Sequence, residues 1–385
     1  MQPMSERPSL IEIMSGLPRP RHLRFAEAIN NLVPGAMIER RYLNRWHRLH
    51  TNAGCYVTGI RQVGLSRDGT PTIVHQALAD TTTPHAVEYD VPHGLHGYSY
   101  SAYLRHGGKA RSLLENPAMR MLFVFSEWAK RSFALHFGEE VAARCRIAYP
   151  LASSHADDSK QARRYDFTFI ATSFRAKGGP ELLRAFRALR HSIPNTTMCV
   201  VTNMAEAKSI LGDLAAFPGV EWREANLDEN GITALLADTH CLVHPTLWDS
   251  FGVVVMEALA AGCAIITSKM ASLPEMVTPE NGILLDLPAG LVVGDLTIPQ
   301  FSNVHHFSAF LSRLSLRGFE RDLTAAMAEV VGDMGRRANY QQAARELYRR
   351  RFSRAAWDEQ MRVHLREAFP NLQVRCDAKT SFDAS

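Results

Sequence analysis

Several features are missing from this 385-residue chain, and each absence excludes a class of protein. No stretch of eighteen apolar residues is free of charge, because the longest candidate, Phe251 to Thr267, contains Glu257. A membrane-spanning helix is therefore not expected. The first residues also lack a basic segment followed by an apolar core, so no secretory signal is expected. Both absences favour a cytoplasmic protein.

Cysteine is scarce and unpaired in sequence. The six cysteines include no Cys-x-x-Cys spacing, and several fall on predicted buried strands. We therefore expect free thiols in a reducing compartment, packed as small apolar side chains.

Motifs for metals, dinucleotides and nucleic acid are absent as well. No Asp-x-Asp occurs to hold a divalent cation, and no Gly-x-Gly-x-x-Gly follows the first predicted strand, which argues against a dinucleotide dehydrogenase. His305 and His306 are adjacent, with no cysteine or carboxylate cluster beside them, so no metal site is expected. The chain also lacks the aromatic residues interleaved with basic ones that bind single-stranded nucleic acid.

The formal net charge of +4 is small but unevenly placed. Residues 1–60 contain eight arginines against four acidic residues. Such a basic segment favours binding of an anionic acceptor. It equally favours peripheral contact with the anionic inner face of the cytoplasmic membrane. A merely solvated basic face explains the same pattern equally well, and both interpretations remain open.

The length exceeds what one core usually holds, so two domains of roughly 150 to 200 residues are expected. We predict an N-terminal domain over 1–150, a polar linker over 151–164, a second domain over 165–345, a returning helix over 346–370 and a disordered tail over 371–385. Residues 287–318 are interpreted as an insertion. The oligomeric state is left open.

The order of elements predicts the fold class. In the first domain, hydrophobic patterns indicate strands at Leu10–Met14, Cys55–Ile60, Thr72–His75, Ala86–Tyr89 and Met121–Phe125, and helices at Arg21–Leu32 and after the N-cap Ser126. In the second domain, strands at Phe167–Ala171, Met198–Thr202, Val220–Trp222 and Cys241–His244 alternate with helices. Such alternation indicates βαβ units and parallel sheets covered on both faces.

The most informative stretch follows the strand that ends near His244. A short loop leads into an apolar run from Phe251 to Ala261, which Gly262 ends in the manner of a helix C-terminus. Because nearly every side chain in this helix is apolar, we expect protein on both of its faces and a buried Glu257 in its middle. Asp249 precedes it, with seven residues between the two carboxylates.

Gly252 opens this predicted helix, where unpaired backbone N–H groups and the positive end of the helix dipole form an anion site. If phosphates bind at this helix start, Asp249 before the helix and Glu257 about one turn inside it can each contact a polyol, one on either side of the phosphates. A nucleoside diphosphate sugar has that shape.

The same stretch resembles the signature of the family 4 (group 1) retaining glycosyltransferases of GT-B fold. The matching residues are Pro245-Thr246, Asp249, Ser250-Phe251-Gly252, Glu257, Gly262-Cys263-Ala264, Leu273-Pro274-Glu275 and Asn281-Gly282. Asp249 stands where the family has its first glutamate. The resemblance implies an α/β protein of two Rossmann-like domains, with a nucleotide-sugar cleft between them.

It also implies roles for individual residues. Lys177-Gly178 match the end of the family's diphosphate-binding loop, whereas Thr172 occupies the position of its arginine, and we expect Arg175 to supply the missing charge. Ser250, Phe251, Gly252 and Val253 are expected to line the donor site, with Glu257 on the ribose and Asp249 on the sugar.

In the first domain, the resemblance selects His93, with His96 as second choice, as the histidine that faces the reacting sugar. The implied activity is metal-independent, retaining transfer of a sugar from a UDP- or GDP-linked donor to a glycan or lipid-linked acceptor in polysaccharide biosynthesis, without a cofactor. The rival hypothesis is a GT-B partner or scaffold protein that binds nucleotide sugar but transfers little, because Thr172 and Asp249 depart from the family pattern.

Overall fold

The structure is a computed structural model that describes residues 12–15, 20–33, 37–39, 60, 62–63, 65, 70–152, 163–288, 290–291 and 304–375. The chain divides into two compact units. The first comprises Met1–Phe125, Lys130–Leu151 and Arg354–Ser385, and the second comprises Ser126–Ala129 and Ala152–Ser353. Among the described residues, no helix has the length and apolar character needed to cross a bilayer.

The first unit contains a six-stranded, fully parallel sheet in the order β2-β1-β4-β6-β7-β8. A separate parallel pair joins β3 to β5. The strands are β1 Glu12–Ser15, β2 Met37–Glu39, β3 Gln62–Val63, β4 Thr72–His75, β5 Leu78–Ala79, β6 His85–Tyr89, β7 Met119–Val124 and β8 Cys145–Ile147. The strands predicted around β1, β4, β6 and β7 are confirmed, and residues 55–59 lie outside the described ranges.

Helices connect and cover these strands. They are α1 Pro20–Leu32, a 3-10 helix at Pro92–His96, α2 Tyr100–Glu115, α3 Glu127–Phe137 and α4 Glu139–Ala143, and the last helix of the chain, α13 Arg354–Ala368, also belongs here. The predicted N-cap of α3 is confirmed, because the Ala129 amide donates to Ser126 Oγ at 3.0 Å. Trp357 and Leu365 on α13 share one buried cluster with Phe25 and Ile29 on α1.

The second unit is built on another six-stranded parallel sheet, in the order β11-β10-β9-β12-β13-β14. Its strands are β9 Tyr165–Ala171, β10 Met198–Thr202, β11 Val220–Glu224, β12 Thr239–His244, β13 Ala264–Ser268 and β14 Gly282–Leu285. All neighbours pair in parallel, which confirms the predicted fold class. Four cysteines within the described ranges, Cys145, Cys199, Cys241 and Cys263, are buried free thiols, as predicted.

The helices of the second unit follow the strands in turn. They are α5 Gly179–Ser192, α6 Met204–Leu211, a 3-10 helix Leu214–Ala216, α7 Glu229–Ala237, α8 Val253–Ala260, α9 Leu273–Met276, α10 Val304–Leu311, α11 Arg317–Gly332, α12 Met334–Leu347 and a π-helical turn Tyr348–Phe352. On α5, the stripe Leu182, Leu183, Phe186 and Leu189 is buried in the core beneath the sheet.

The strand order creates a topological switch point between β9 and β12. The chain runs outward from β9 to β11 and returns to β12 on the other side of β9, so the connections leave the sheet in opposite directions. Ligands bind in such crevices, at the carboxyl ends of the two central strands. Here the two loops that leave β9 and β12 touch, because the Leu247 amide donates to Ala176 O at 3.0 Å.

The predicted domain boundaries differ from those of the structure, because side chains at both ends of the predicted linker 151–164 pack into the two units. Leu151 is buried in the core of the first unit, and Arg163 donates to Ala261 O at 2.9 Å in the second. Residues 153–162 lie outside the described ranges. The second unit also extends past residue 345, through α12 and the π-helical turn, to Ser353.

The predicted disordered tail needs a similar correction. Leu372 is buried, and the Arg375 amide donates to Leu32 O at 2.8 Å, so residues 371–375 belong to the packed first unit. Residues 376–385 lie outside the described ranges. Within the supposed insertion, Phe307 and Leu311 on α10 are each 1% exposed and join the second core.

Gly178 is a point at which the second unit tolerates no side chain. Its φ is +75°, and a Cβ atom there would lie 2.1 Å from Pro245 O. We expect Gly178→Ala to lower the free energy of unfolding by about 3 kcal/mol or more, since a left-handed alanine costs roughly 1 to 2 kcal/mol before any clash is added. Urea denaturation measures the change.

The control is Gly108→Ala, which adds a Cβ inside α2 with no atom within 4 Å and no positive φ, and it should not lower the free energy of unfolding. A loss of only about 1 to 2 kcal/mol for Gly178→Ala, which is the cost of a left-handed alanine alone, would show that the contact with Pro245 contributes nothing.

Candidate functional site

The turn that follows β9 is held in place by a carboxylate from α6. Glu206 accepts hydrogen bonds from the backbone amides of Phe174 and Arg175, at 2.8 and 3.1 Å. The turn ends at Gly178, the N-cap of α5, whose missing side chain permits the close approach to Pro245. The backbone of the turn therefore fixes where Lys177 begins.

The loop that follows β12 is fixed by a hydroxyl from the β13–α9 connection. Ser272 Oγ lies 3.0 Å from both Ser250 O and Phe251 O. Gly252 then adopts a φ of +79°, and a Cβ there would lie 2.5 Å from Leu273 Cδ2. This glycine is the N-cap of α8, and no side chain accepts hydrogen bonds from the first turn of that helix.

The two loops meet in a cluster of charged side chains. Lys177 Nζ lies 2.8 Å from Asp249 Oδ2 and donates to Trp248 O at 2.7 Å. His244 Nε2, at the end of β12, lies 2.9 Å from the same carboxylate oxygen. The Ser250 amide donates to Asp249 Oδ1 at 2.8 Å. We call Lys177, Asp249 and His244 the charged cluster.

The surroundings set the ionisation of this cluster. Burial opposes the charge on Asp249, but the Lys177 ammonium and the His244 ring outweigh it and hold the pKa of the carboxyl well below its usual range. Burial lowers the pKa of His244, with the hydrogen bond to Asp249 acting in the opposite direction. A neutral His244 therefore donates its Nε2 proton to an ionised Asp249, while its buried Nδ1 has no hydrogen-bond partner among the described residues.

The remaining hydrogen-bonding capacity shows what the cluster can still bind. An ammonium has three protons, and the contacts of Lys177 with Asp249 and Trp248 use two of them. A carboxylate offers about four acceptor positions, of which Asp249 uses three. One donor on Lys177 and one acceptor position on Asp249 are thus available to a ligand with an anionic group and a hydroxyl.

The surroundings of Glu257 differ from the prediction. Val253, Val254, Glu257 and Ala261 form a partly exposed stripe along α8, while the other side chains of the helix are buried. The helix is therefore not covered on both faces, and Glu257 is half-buried rather than buried. The stripe begins at the first residue of the helix, so Val253 and Glu257 share its accessible side.

Arg175 also differs from its expected role. Its guanidinium pairs with Glu181 at 3.3 Å and lines a cavity beside α5 and α11, outside the charged cluster. The cause is local: the buried carboxylate of Glu181 attracts the cation away from the turn. Thr172 is exposed, and the described contacts include none between it and the cluster.

His93 belongs to the first unit, where it lies in the 3-10 helix after β6. It is 3% exposed, and its ring packs edge-on against Tyr98 with centroids 5.2 Å apart. Burial, with smaller contributions from nearby His136 and His96, lowers the pKa of His93 to about 3. The imidazole is therefore neutral at physiological pH, and its Nδ1 has no hydrogen-bond partner in the part of the chain that the structure describes.

Sequence reasoning gave no role to three residues that organise this site: His244, Glu206 and Ser272. The first could have been recognised as a polar residue at the carboxyl end of a central strand, where parallel sheets place ligand contacts. Glu206 and Ser272 carry no such signal, because their partners are backbone groups more than twenty residues away in sequence.

Two units, each with a six-stranded parallel sheet, and a polar site at the switch point define the fold class. The fold is that of the GT-B glycosyltransferases. Residues 164–297 match the family model described as glycosyl transferases group 1, in agreement with the resemblance noted in the sequence. No curated protein sequence matches the chain.

Solved structures share the fold at low sequence identity. WaaG, a glycosyltransferase involved in lipopolysaccharide biosynthesis, is 12% identical with a TM-score of 0.60, over 92% of this chain and 98% of its own. Anabaena Alr3699/HepE, solved with UDP, is 15% identical with a TM-score of 0.60, over 93% and 99%.

S. aureus TarM, solved with fondaparinux, alpha-GlcNAc-glycerol and UDP, is 12% identical with a TM-score of 0.53, over 76% of this chain. The chain spans only 55% of the length of TarM. At these identities, the likenesses establish the fold.

The charged cluster predicts a pH-dependent stability. We expect Asp249→Asn to lower the free energy of unfolding at pH 7 by about 3 kcal/mol, because it leaves the partly buried Lys177 without its counter-charge. A carboxyl whose folded pKa is depressed stabilises the protein above its unfolded pKa of about 3.9 and loses that contribution as pH falls further. The difference between wild type and variant should therefore stay constant from about pH 8 to 5 and narrow below about pH 4.

Urea unfolding at pH 7, 5 and 3.5 measures this difference. Asp286→Asn is the control, since Asp286 is 81% exposed in its pair with Lys269 and should change stability by less than about 0.5 kcal/mol. If Asp249→Asn changes the free energy of unfolding as little as the control does, the ion pair between Lys177 and Asp249 does not stabilise the site.

Proposed function

We propose that this glycosyltransferase transfers a sugar from a UDP-linked donor to a hydroxyl group of a glycan or lipid-linked acceptor, with retention of anomeric configuration and without a metal ion. The observation that carries the proposal is the meeting of Lys177 and Asp249 at the carboxyl ends of β9 and β12, next to the uncapped start of α8. Complexes of HepE and TarM with UDP support the choice of nucleotide.

In this reaction, the bond between the anomeric carbon and the diphosphate oxygen breaks, and a new bond forms to the acceptor oxygen. Negative charge develops on the departing diphosphate. The third proton of Lys177 and the first amides of α8 would donate to it, which stabilises the transition state. The acceptor hydroxyl passes its proton to the departing diphosphate oxygen as the new bond forms.

The other predicted contacts complete the donor site. Glu257 would accept hydrogen bonds from the ribose hydroxyls, because its side chain lies on the partly exposed stripe of α8 that begins beside the diphosphate. The one available acceptor position of Asp249 would bind a sugar hydroxyl. His93 remains our prediction for the reacting face of the sugar.

The rival function is a protein that binds nucleotide sugar but transfers little. One observation favours it: Asp249 is already engaged by Lys177, His244 and the Ser250 amide, which leaves little of the carboxylate for a sugar. Slow release of free sugar from the donor without acceptor is expected of an active transferase and distinguishes the two.

Two further predictions remain proposals: a cytoplasmic location, and peripheral contact with the anionic inner face of the cytoplasmic membrane. The membrane contact depends on the arginines of residues 1–60, and most of this segment lies outside the described ranges.

Donor binding tests the assignment of Lys177. We expect Lys177→Ala to lower kcat/KM for a UDP-sugar by about 100-fold or more, since removal of one donor to developing charge costs about that factor. Sugar release and transfer measured across UDP-, GDP- and ADP-sugars identify the nucleotide.

Glu257→Gln should weaken binding of UDP itself, and it serves as the test of the ribose contact.

The matched control is Lys208→Ala, which removes an exposed lysine of α6. A kcat/KM for Lys177→Ala within a factor of three of the control would refute the role of Lys177. A wild-type protein that binds UDP-sugar but never releases sugar would favour the rival function.

Metal dependence is a separate test. The absence of Asp-x-Asp predicts that cations of the protein alone compensate the diphosphate charge. EDTA should therefore leave the transfer rate unchanged within about twofold, as measured against a sample with added Mn²⁺. Loss of transfer in EDTA that Mn²⁺ restores would contradict the metal-independent mechanism.

A further inference from the structure

The turn that contains His93 brings a tyrosine back beside it. Tyr98, just after the 3-10 helix Pro92–His96, has a left-handed backbone conformation with a φ of +61°. A tyrosine in this conformation is strained, and such strain persists only where the surrounding structure enforces it. Here the Tyr98 amide donates to His93 O at 2.8 Å. The backbone of the tyrosine is therefore tied to that of the histidine.

Asp90 fixes the other end of the Tyr98 side chain. It directly follows β6, at the carboxyl end of a parallel strand, and is 2% exposed. Its Oδ2 accepts the hydroxyl proton of Tyr98, and its Oδ1 accepts from the Val91 amide at 2.9 Å. Gly94 leaves room for this carboxyl group, because a Cβ atom there would lie 2.5 Å from Asp90 Oδ1. The tyrosine ring is thus held at its hydroxyl as well as at its backbone.

The imidazole of His93 depends on this tyrosine for its orientation. The two rings meet edge-on, with centroids 5.2 Å apart and an interplanar angle of 74°. Functional histidines are commonly oriented by a hydrogen bond at one ring nitrogen. The buried Nδ1 of His93 makes no such bond within the described ranges. Packing against Tyr98 therefore sets the plane of the imidazole, since aromatic rings at this distance prefer an edge-to-face arrangement.

We propose that Tyr98 is a positioning residue for His93, and that Asp90 acts through Tyr98. The hydroxyl bound to Asp90 fixes the ring against which the imidazole packs, and the imidazole then keeps one orientation toward the reacting sugar. This inference rests on the proposed transfer reaction, in which His93 faces that sugar. Asp90 and Tyr98 need no contact with the substrate for this role.

Kinetics of Tyr98→Phe in the full chain test the proposal. The variant keeps the ring and removes the hydroxyl that Asp90 holds. We expect kcat for release of sugar from the most active UDP-sugar to fall about tenfold or more, with KM for that donor unchanged within about twofold, because misorientation of a reacting group slows the chemical step without weakening ground-state binding. In a His93→Ala background, Tyr98→Phe should cause no further loss, since its effect acts through the missing imidazole.

Tyr103→Phe is the matched control. Tyr103 belongs to α2 and packs edge-on against His96, the second histidine of the same 3-10 helix, with centroids 5.5 Å apart. Its kcat should stay within about twofold of wild type. The proposal is overturned if the two tyrosine variants have equal kcat, if Tyr98→Phe slows the His93→Ala background as much as it slows wild type, or if His93→Ala itself releases sugar as fast as wild type.

NMR of the imidazole C–H signals tests the contact without any substrate. The signals of His93, assigned by their absence in His93→Ala, should shift in Tyr98→Phe and stay in place in Tyr103→Phe, since an aromatic ring shifts the signals of protons beside it. Unchanged signals in Tyr98→Phe overturn the proposal. If these signals move but wild type releases no sugar from any donor, the transferase function is refuted, while the orientation of His93 by Tyr98 is supported.

Discussion

The contact between the backbones of Gly178 and Pro245 is the constraint on which the site of the second unit depends. It joins the loop that leaves β9 to the loop that leaves β12, at the switch point of the sheet. Only this proximity allows an ammonium from one loop to reach a carboxylate from the other. Glu206 then fixes the first loop and Ser272 the second, so residues on four separate connections of the sheet determine one ion pair.

The substitution of aspartate for the glutamate typical of the family has a structural explanation. The side chain of Asp249 is one methylene shorter, and it stays within reach of His244 and the Ser250 amide beneath the loop. The carboxylate thereby organises the loop and orients Lys177, while one acceptor position remains for a ligand. The structure shows the positioning role of Asp249, which the sequence alone did not suggest, while its contact with a sugar stays a prediction.

The fold of the second unit could be predicted from sequence, because its strands are short apolar runs separated by helices with a clear apolar stripe such as that of α5. The helices α2 and α12 were missed, since α2 contains Gly107 and Gly108 and α12 is polar on most sides. Of the site, Lys177 and Asp249 were predicted in the right loops. The sequence did not predict the ion-pair partner of Arg175 or the partial exposure of Glu257, because both depend on how the folded chain packs around these side chains.

Asp249 acts as an internal counter-ion for Lys177 in the free enzyme. The carboxylate of Asp249 already balances the charge of the Lys177 ammonium. The site therefore attracts small anions from solution less strongly than an unpaired lysine would. Ionic strength screens bare charges far more than it screens an adjacent, partly buried pair. If the site binds a nucleotide sugar as proposed, the affinity should depend little on salt, and contacts with the ribose and the sugar should contribute more to selectivity than the charge of Lys177 does.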